Sequence, residues 1–462
     1  DKGTQKDDWG EKGTEKDVWD DEGLKDEGDE KRTEDAPWEK EEAEEISPFE
    51  LSGRFWNRFA QDLKDESSFE DDNFNHSELR LKAEYTPNES INIVLSVDVD
   101  YFIYRSGGDW DYTGNIRPYE NYFRFSGSNF DLTAGNQFVK WGKADEVSPL
   151  DIVNPEDLRD GFVRSREERK IPIPMMDLKL FKDTYKLEAL FIPFFTKSKL
   201  NLVGRDWAFF NHYEQEVGNF TIIDEDPPND LHHSEAGIRF SGTFKNLDYS
   251  FSYLYTREDL PSIDSLTLPP GFSIDNPDSV TLEDLVRFAL LTRQPIRLKY
   301  GRQNVMGVEF ETTWRDFGLR GDIAYIHKRS FITDRLESIR KPVYSYVLGM
   351  DYNGPASFYF NLQFSQEIIQ DIDDPILMLD RITSRVNGKI SKGFLDENVE
   401  ICLRYLYNFT REDYYINPSI ILNYWKNITI DFGFEIEGGP SNSTLGTFDD
   451  NDEVYCIFQY QF

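Results

Sequence analysis

Apolar and polar residues alternate with a period of two over much of the chain. Leu79, Leu81, Ala83 and Tyr85 alternate with charged residues, and residues 91–101 repeat the pattern after the connection TPNES. A period of two places successive side chains on opposite faces of a β-strand, whereas an amphipathic helix needs a spacing of about 3.6 residues. The pattern therefore predicts two strands joined by a tight turn.

The same alternation recurs as far as the C-terminus, and the connections between the segments alternate in length. Further examples are residues 249–255, 319–325, 358–364, 399–407 and 428–436. Short connections such as KNLD and RDFG take turns with longer polar stretches, which include residues 105–117, 140–173, 196–233 and 258–302. Over residues 49–462 this predicts an all-β fold, a closed antiparallel transmembrane β-barrel of about 18 strands, with short periplasmic turns and long extracellular loops.

The average composition resembles that of a water-soluble protein, but it is compatible with the predicted barrel. The 462 residues are 30% charged, with a formal net charge of −36 and a mean hydropathy of −0.62. No apolar run approaches the length of about 18 residues that a membrane-spanning helix needs, which excludes a helical membrane protein. The 36 Phe and 24 Tyr suit the outer surface of a barrel. A soluble β-sandwich or propeller is the alternative, but it would not need so many long strands with charges on alternate positions.

The last ten residues, EVYCIFQYQF, end the chain on an aromatic side chain in this alternation. Phe458, Tyr460 and Phe462 share one face of the predicted strand. This arrangement resembles the C-terminal signal by which bacterial outer-membrane barrels are recognised for assembly. It predicts an outer-membrane location, with the last strand paired to the first strand near residues 51–59.

Residues 1–48 differ from the rest of the chain. Two near-repeats, DKGTQKDDWG and EKGTEKDVWD, precede a segment in which acidic residues far outnumber basic ones. So few apolar residues cannot bury enough surface to fold alone, which predicts a disordered periplasmic tail. The alternative is that Trp9, Trp19 and Trp38 anchor the tail to a periplasmic partner or inside the barrel mouth.

Residue patterns that carry chemistry are scarce. Cys402 and Cys456 fall on the lumenal and lipid faces of separate strands, so no disulfide is expected between them. The sequence contains no haem or zinc spacing, and its five histidines adjoin no nucleophile motif, so we expect no enzyme activity and no cofactor. The acidic clusters FEDDN, QDIDD and FDDNDE could hold structural Ca²⁺ or bridge divalent ions to lipopolysaccharide, although such loop charge is more often solvated. The expected partners are outer-membrane lipid and lipopolysaccharide, with no nucleic acid.

One long segment carries a motif. The strand FDLTAGNQFVK is followed by WGKADEVSPLDIVNPEDLRDGFVRSREERKIPIP. The spacing resembles the G-x-Q-x-x-x-W-G…N-P-x-D segment of a family of proteobacterial outer-membrane proteins catalogued as a domain of unknown function. The matching residues are Gly135, Gln137, Trp141, Gly142, Asn154, Pro155 and Asp157. Lys143 departs from the pattern, which would place an acidic residue there. The resemblance implies a barrel that acts in transport across the outer membrane, with hydrophobic substrates suspected for some relatives.

The same segment is rich in arginine and too long to remain structureless. We expect residues 141–171 to fold into the lumen and to form the pore constriction, although a surface flap is the alternative. The expected ion pairs join the loop residues Arg159, Arg164, Arg166 and Arg169 to the lumenal carboxylates Asp98, Asp100 and Asp131.

A second set of charges is expected on the lumenal face of two later strands. Arg381, Arg385 and Lys389 lie at alternate positions that face Glu400 and Arg404 of the next strand. The lumen as a whole carries both signs of charge, so opposite walls that differ in sign would create a transverse field across the water.

One loop also contains a helical pattern. Thr281 followed by Asp284 forms a capping box, residues 282–290 present an apolar face, and Pro295 ends the pattern. Such a helix could plug the barrel mouth, line an entry for an amphipathic solute or pack on neighbouring loops.

These patterns together predict an outer-membrane channel for a small or amphipathic solute, with a pore narrowed by an inward-folded loop. Two alternatives stay open: a scaffold barrel that docks a periplasmic or extracellular complex, and an exporter of an acidic polysaccharide. A scaffold would have a filled lumen, and an exporter would have a lumen lined mainly by Arg and Lys.

Overall fold

The structure, a computed structural model, describes residues 47–64, 71–106, 109–202, 205, 207–210, 221–372 and 375–462. Most of the predicted acidic tail, with its three tryptophans, lies outside these residues, as do parts of the clusters FEDDN and QDIDD. Within the described residues, 18 strands form one closed antiparallel sheet, which confirms the predicted barrel.

The barrel strands follow one another around the sheet in chain order. Their bounds are β1 Phe49–Asp62, β2 Asp71–Asn88, β3 Ile91–Ser106, β4 Asp109–Ser126, β5 Phe130–Gln137, β6 Ile173–Lys182, β7 Tyr185–Ile192, β9 Glu235–Phe244, β10 Leu247–Arg257, β13 Arg302–Trp314, β14 Phe317–Ile332, β15 Ser338–Gly354, β16 Phe358–Ile369, β17 Ile382–Phe394, β18 Val399–Asn408, β19 Tyr414–Trp425, β20 Ile428–Gly438 and β21 Glu453–Gln461. Three further strands, β8 Ile222–Glu225, β11 Ser262–Ile263 and β12 Ile296–Lys299, form a separate small sheet.

The first and last strands close the barrel. β1 and β21 pair in register from Arg54 opposite Gln461 to Asp62 opposite Glu453. Backbone hydrogen bonds of 2.8 and 3.0 Å join Gly53 to Phe462 in both directions. The closure leaves no unpaired sheet edge within the membrane. Each backbone group left without a hydrogen bond there would destabilise the fold by about several kcal/mol, because the bilayer core offers no water to bind it.

The connections at the two ends of the barrel differ in length as expected, with one exception. β3 ends at Ser106 and β4 begins at Asp109, so the predicted loop at residues 105–117 is wrong. In β4, residues 109–116 are exposed on both faces of the strand, including Trp110, Tyr112 and Ile116, whereas Phe102 and Tyr104 of the paired β3 are buried. Residues 105–117 are mostly polar, so the sequence shows no apolar alternation there, although the backbone of β3 and β4 stays paired.

The two faces of each strand have the chemistry that a membrane barrel requires. Outward-facing Leu95, Phe251 and Ile401 are at least half exposed, as lipid-facing side chains of a barrel should be. Cys402 is buried on the lumenal side, Cys456 lies on the outward face, and both are free thiols.

Described residues of several long extracellular loops pack into apolar clusters. Helix α2 (Leu282–Thr292) begins at Thr281, whose hydroxyl accepts a hydrogen bond from the Asp284 amide in the predicted capping box. Its apolar face packs against Ile296, Leu336 and other loop residues. Packing on neighbouring loops, one of the three roles considered for the helix, is therefore what the structure shows. Among the described residues, no helix combines the length and the apolar character that spanning a membrane would require.

Candidate functional site

The segment between β5 and β6, residues 138–172, lies inside the barrel and is called the lumenal loop. It contains one short helix, α1 (Arg166–Arg169). Its side chains and backbone contact lumenal residues of strands around much of the barrel, as the following contacts show.

An apolar core joins the first half of the lumenal loop to the wall formed by β6 to β15. Trp141 and Leu150 are 1% and 2% exposed and pack in a cluster with lumenal residues of these strands, including Leu254 and Val305. Two glycines in the wall make this approach possible. A Cβ at Gly237 would stand 2.6 Å from the Trp141 ring, and one at Gly307 would stand 2.5 Å from Leu150. The lumen is thus dry on this side, which the charged alternation did not predict.

The turn after Trp141 is held by one carboxylate of β14. Asp322 is fully buried, and it accepts hydrogen bonds from the Lys143 amide at 2.8 Å, the Ala144 amide at 2.9 Å and the Ser148 hydroxyl at 2.7 Å. Gly142 has a φ of +94°, and a Cβ there would stand 3.0 Å from Asp322 Oδ2 and overlap Ser148 Oγ. Only glycine suits this backbone conformation and spacing.

The next residue connects the loop to a neighbouring part of the wall. Asp145 lies 3.1 Å from an Arg320 guanidinium nitrogen and accepts a hydrogen bond from the Asn361 amide at 3.1 Å. Gln363 donates to the same carboxylate. Burial raises the pKa of the Asp145 carboxyl, and Arg320 opposes that rise. The loop is therefore fixed to β14 and β16 by charged and polar contacts.

Asn154 closes the base of the lumenal loop. Its side-chain oxygen accepts a hydrogen bond from the Val139 amide at 2.8 Å, and its side-chain nitrogen donates to the Gln137 and Ile171 carbonyls at 3.1 and 2.9 Å. One buried side chain thus satisfies three backbone groups from the two ends of the loop. An isosteric aspartate would lack the two donors.

A cluster of charges stabilises the loop from within. Arg166 Nε lies 2.8 Å and Arg169 Nε 3.2 Å from the Glu156 carboxylate, and Lys170 Nζ lies 3.4 Å from it. Burial alone would raise the pKa of Glu156, but these three cations hold it at about 2. Burial and the charge of Arg166 lower the pKa of Lys170, whose ammonium also donates to the Asp151 and Asn154 carbonyls.

The tip of the lumenal loop contacts β1 and β2. The Arg164 guanidinium lies 3.7 Å from the centre of the Trp56 ring and donates to Glu78 at 3.0 Å. His76 Nδ1 and Asp160 Oδ2 are 2.5 Å apart. The stacking on Trp56 and the charge-assisted hydrogen bond to Glu78 together fix the orientation of the planar Arg164 guanidinium. A lysine ammonium at this position could not stack in the same way.

The same tip also contacts strands on another side of the barrel. Tyr415 of β19 donates a hydrogen bond to the Phe162 carbonyl at 3.3 Å, and Arg404 of β18 donates to the Val163 carbonyl. The Phe162 ring packs edge-on against Trp207 at 5.5 Å. The loop therefore reaches from β5 and β6 across the lumen to β18 and β19.

A cavity of about 740 Å³ remains between the tip and the strands β16 to β20. The loop contributes both charged and apolar side chains to its lining, including Glu146, Phe162 and Val163. The strands contribute Arg385, Lys389, Arg404, Tyr415 and Asp431, and the connection between β18 and β19 contributes Asp413. The open part of the lumen is thus lined by both signs of charge and by aromatic and aliphatic groups.

The predicted loop arginines have different partners. Arg159 forms a bidentate pair with Asp157 of the loop itself and lies 3.7 Å from Asp100 of β3. Arg164 pairs with Glu78, and Arg166 and Arg169 both pair with Glu156 as described above. Two of the four arginines therefore pair with the wall, but only Arg159 does so with one of the three predicted carboxylates.

The predicted lumenal carboxylates also differ in their contacts. Asp98 pairs with two arginines of the wall, Arg80 and Arg117. Asp131 makes no ion pair within the described part of the chain. It is the second residue of β5, beside a periplasmic turn, whereas the loop leaves the opposite end of that strand. The distance along the barrel accounts for the missing pair.

The three basic residues predicted near β17 are divided between the cavity and the rim. Arg385 and Lys389 line the cavity. Lys389 lies 3.1 Å from Glu400, whereas Arg385 makes no ion pair with any described residue. Arg381 precedes β17 and is exposed. The role of all ten predicted residues in the pore stays a prediction, as does the assembly role of Phe458, Tyr460 and Phe462 on the outward face of the last strand.

Sequence reasoning missed the residues that anchor the loop. Asp322 and Glu78 fall at lumenal positions of the alternation, so their face was predictable, but nothing local connects them to residues 143 and 164. Asn154 belongs to the recognised motif, yet its three backbone partners became visible only in the folded loop.

A closed 18-stranded barrel with an apolar outer surface and a polar interior defines a porin-like β-barrel protein of the bacterial outer membrane. Residues 49–415 match the family described as Protein of unknown function (DUF1302). The chain belongs to this family, and the resemblance predicted from the Trp-Gly and Asn-Pro-x-Asp motif is confirmed.

Solved structures of outer-membrane proteins share the fold at low sequence identity. Acinetobacter baumannii OccAB4 is 11% identical with a TM-score of 0.50, and the match covers 90% of this chain and 99% of that chain. Pseudomonas aeruginosa OpdQ is 12% identical with a TM-score of 0.48, covering 90% and 99%. A comparison with curated proteins gave no match. At these identities the likeness to OccAB4 establishes the fold.

Proposed function

We propose that the protein is an outer-membrane channel for a small or amphipathic solute and that the lumenal loop narrows its pore. The observation that carries this proposal is the path of the loop, which contacts β1 to β3, β13 to β16 and β18 to β19 and leaves one cavity beside it. Loops that cross the lumen set the minimum width of a pore, and their charges set its selectivity.

The lining of the cavity supports a solute with both polar and apolar parts. Phe162 and Val163 offer an apolar contact on the loop side, while Arg385 and Arg404 offer hydrogen-bond donors on the opposite strands. Predominantly apolar sites with a few placed polar groups are typical of small-molecule binding. An acidic polysaccharide would instead need a continuous basic lining, and the carboxylates Asp413 and Asp431 interrupt one here.

The scaffold alternative requires a lumen that is filled and closed to solutes. The cavity of about 740 Å³ favours the channel, because it has the size of pockets that hold a small organic molecule. Single-channel recording in a planar bilayer separates the two roles. A channel gives discrete conductance steps, and their absence in a correctly folded barrel would refute the proposal.

Deletion of residues 150–168 tests the loop itself. We expect a higher single-channel conductance and altered ion selectivity, because the deletion removes the tip and its charged cluster from the lumen. The control is deletion of residues 270–273, an exposed part of the extracellular loop between β10 and β13, which should leave the conductance unchanged. Heat-modifiable migration of both variants must show that the barrel is intact. Conductance and selectivity equal to those of the wild type would place the loop outside the conducting path.

A further inference from the structure

Three possible metal ligands converge where the loop tip meets β2 and β3. His76, Glu78 and Asp100 each offer one ligand atom, and these atoms all lie within 4.8 Å of one another. Their exposed fractions are 3%, 1% and 1%. Among the described residues no other group of three or more such side chains converges in this way. Buried carboxylates and imidazoles are typically paired or bound to metal.

The facing atoms of two of these residues lack hydrogen-bond partners. His76 Nε2 and both carboxylate oxygens of Asp100 are buried without one. His76 Nε2 and Asp100 Oδ1 are 3.6 Å apart, too far for a good hydrogen bond. Two ligands of a tetrahedral zinc ion, each about 2.1 Å from it, stand about 3.4 Å apart. The observed separation is close to that of two atoms that share an ion.

The other nitrogen of the imidazole already has the partner that a metal-bound histidine needs. His76 Nδ1 lies 2.5 Å from Asp160 Oδ2. Metal-bound histidines generally donate their second N–H to a carboxylate or carbonyl, which fixes the tautomer and turns the free nitrogen toward the ion. Here the orienting carboxylate belongs to the lumenal loop, while the histidine belongs to the wall.

Glu78 retains capacity for a further contact although it is heavily hydrogen-bonded. Its Oε1 accepts from Arg54 at 2.5 Å and from Arg80 at 3.1 Å, and its Oε2 accepts from Arg164 at 3.0 Å. An ionised carboxylate has about four acceptor sites, so three donors leave one. The arginines thus orient Glu78 as the loop carboxylate orients His76.

The surroundings of the cluster accommodate one small cation. The closest approaches of Arg117 and Arg159 to Asp100 are at Oδ2, at 3.3 and 3.7 Å, whereas the closest approach of His76 is at Oδ1. Each guanidinium has a carboxylate partner besides Asp100: Arg117 pairs with Asp98, and Arg159 with Asp157.

We propose that His76, Glu78 and Asp100 bind one divalent transition-metal ion of the zinc type inside the barrel. One imidazole nitrogen and two carboxylate oxygens are ligands that Zn²⁺ accepts, with a fourth position for water. Because Asp160 orients the histidine, the ion also ties the tip of the lumenal loop to the wall. This site is independent of the solute that the channel carries.

Metal content of the purified full-length protein tests the site. After chelator treatment and equilibration with Zn²⁺, we expect one tightly bound equivalent in the wild type by elemental analysis. His76→Gln and Asp100→Asn should each weaken the affinity at least tenfold, since each removes a ligand. The matched control, His327→Gln, removes a histidine from another strand and should bind zinc like the wild type.

Two results would overturn the proposal: a wild-type protein without stoichiometric zinc, or a His76→Gln variant that binds zinc as tightly as the wild type. X-ray absorption of the zinc-loaded wild type keeps the test decisive even if the variants fail to fold. We expect a shell of nitrogen and oxygen ligands that includes one imidazole. A shell without imidazole would place the ion elsewhere and refute the assignment.

Discussion

Replacement of Asp322 by asparagine should release the first turn of the lumenal loop from the barrel wall. The change preserves the size of the side chain but removes its charge and one of its two acceptor oxygens. Asp322 Oδ1 accepts from the Lys143 amide, and Oδ2 accepts from the Ala144 amide and the Ser148 hydroxyl. An asparagine whose oxygen takes the Oδ2 position keeps the bonds from Ala144 and Ser148, which become neutral. It loses the 2.8 Å bond at Oδ1 and places an NH₂ group against the Lys143 amide, which keeps only its longer contact of 3.1 Å with the other oxygen.

The structure sets the size of the effect. A buried hydrogen bond to a charged group contributes about 1.5–3 kcal/mol, and charge-assisted bonds are roughly twice as strong as neutral ones. Loss of one such bond and weakening of the other two therefore costs about 3–5 kcal/mol of loop attachment. This corresponds to a shift of about 150-fold to 4,000-fold in the equilibrium between attached and released turn.

Hydrogen exchange over residues 141–149 measures this shift directly. The protection factors of the Lys143 and Ala144 amides should fall by about the ratio just given, that is, by about 100-fold or more. Noise in the open-channel current should rise as well. The matched control is Asp131→Asn, which changes a lumenal aspartate of β5 that makes no ion pair with any described residue. If protection in the Asp322 variant equals that of the wild type, the carboxylate does not hold the turn and the argument is wrong.

Three other changes test the lumenal loop and the closure of the barrel. Gly142→Ala should detach the same turn, because its φ of +94° and its contact with Ser148 exclude a Cβ, and hydrogen exchange should show it. Removal of Phe462 should lower the amount of heat-modifiable barrel in the outer membrane, since its backbone pairs with Gly53; unchanged levels would argue against an assembly signal. The pKa of Glu156 lies at about 2 in the folded loop rather than 4.5. The ionised carboxylate therefore stabilises the folded loop by about 3 kcal/mol above pH 4.5. This stabilisation disappears as the pH falls toward 2. Loop protection should follow that course in the wild type, whereas Glu156→Gln should be less protected at pH 7 and should lose little more on acidification.

The barrel was predictable because its signal is local. A lipid-facing side chain and its lumenal neighbour are adjacent in sequence, so the period of two reports the environment of each strand directly. The pairing of the first and last strands followed from closure, since an even number of strands brings both ends to the same side. The first half of β4 escaped prediction because residues 109–116 are exposed on both faces, and the alternation then carries no information on burial.

The lumenal loop was only partly predictable, because its anchors lie far away in the chain. Asp322 follows Lys143 by 179 residues, and nothing in either local sequence indicates the pairing. The length and the arginine content of the loop suggested an inward fold, but they also suggested ion pairs with the wall for Arg166 and Arg169. In the structure both arginines instead pair with Glu156 of the loop itself. They lie three residues apart in the short helix α1, so both face the same carboxylate.

The residues that carried the family resemblance turn out to share a structural task. Gln137 donates to the Thr133 and Met175 carbonyls of the two strands that the loop joins. Trp141 fills the apolar side of the lumen, Gly142 makes the turn onto β14, and Asn154 closes the base. Asp157 holds Arg159 in a bidentate pair. Each of these contacts determines where the loop lies, and none requires a particular solute.

The cavity lining comes from other positions. Within the loop, Val147, Phe162 and Val163 reach the open lumen, and all three lie outside the motif. Asp145 and Arg169 both anchor the loop and line the cavity. A substitution of the side chain at residue 162 or 163, by contrast, changes the cavity lining without breaking the hydrogen bonds of Asn154 or Asp322. In the proposed channel, a solute would therefore meet the loop tip and the facing strands β17 to β20 rather than the residues of the motif.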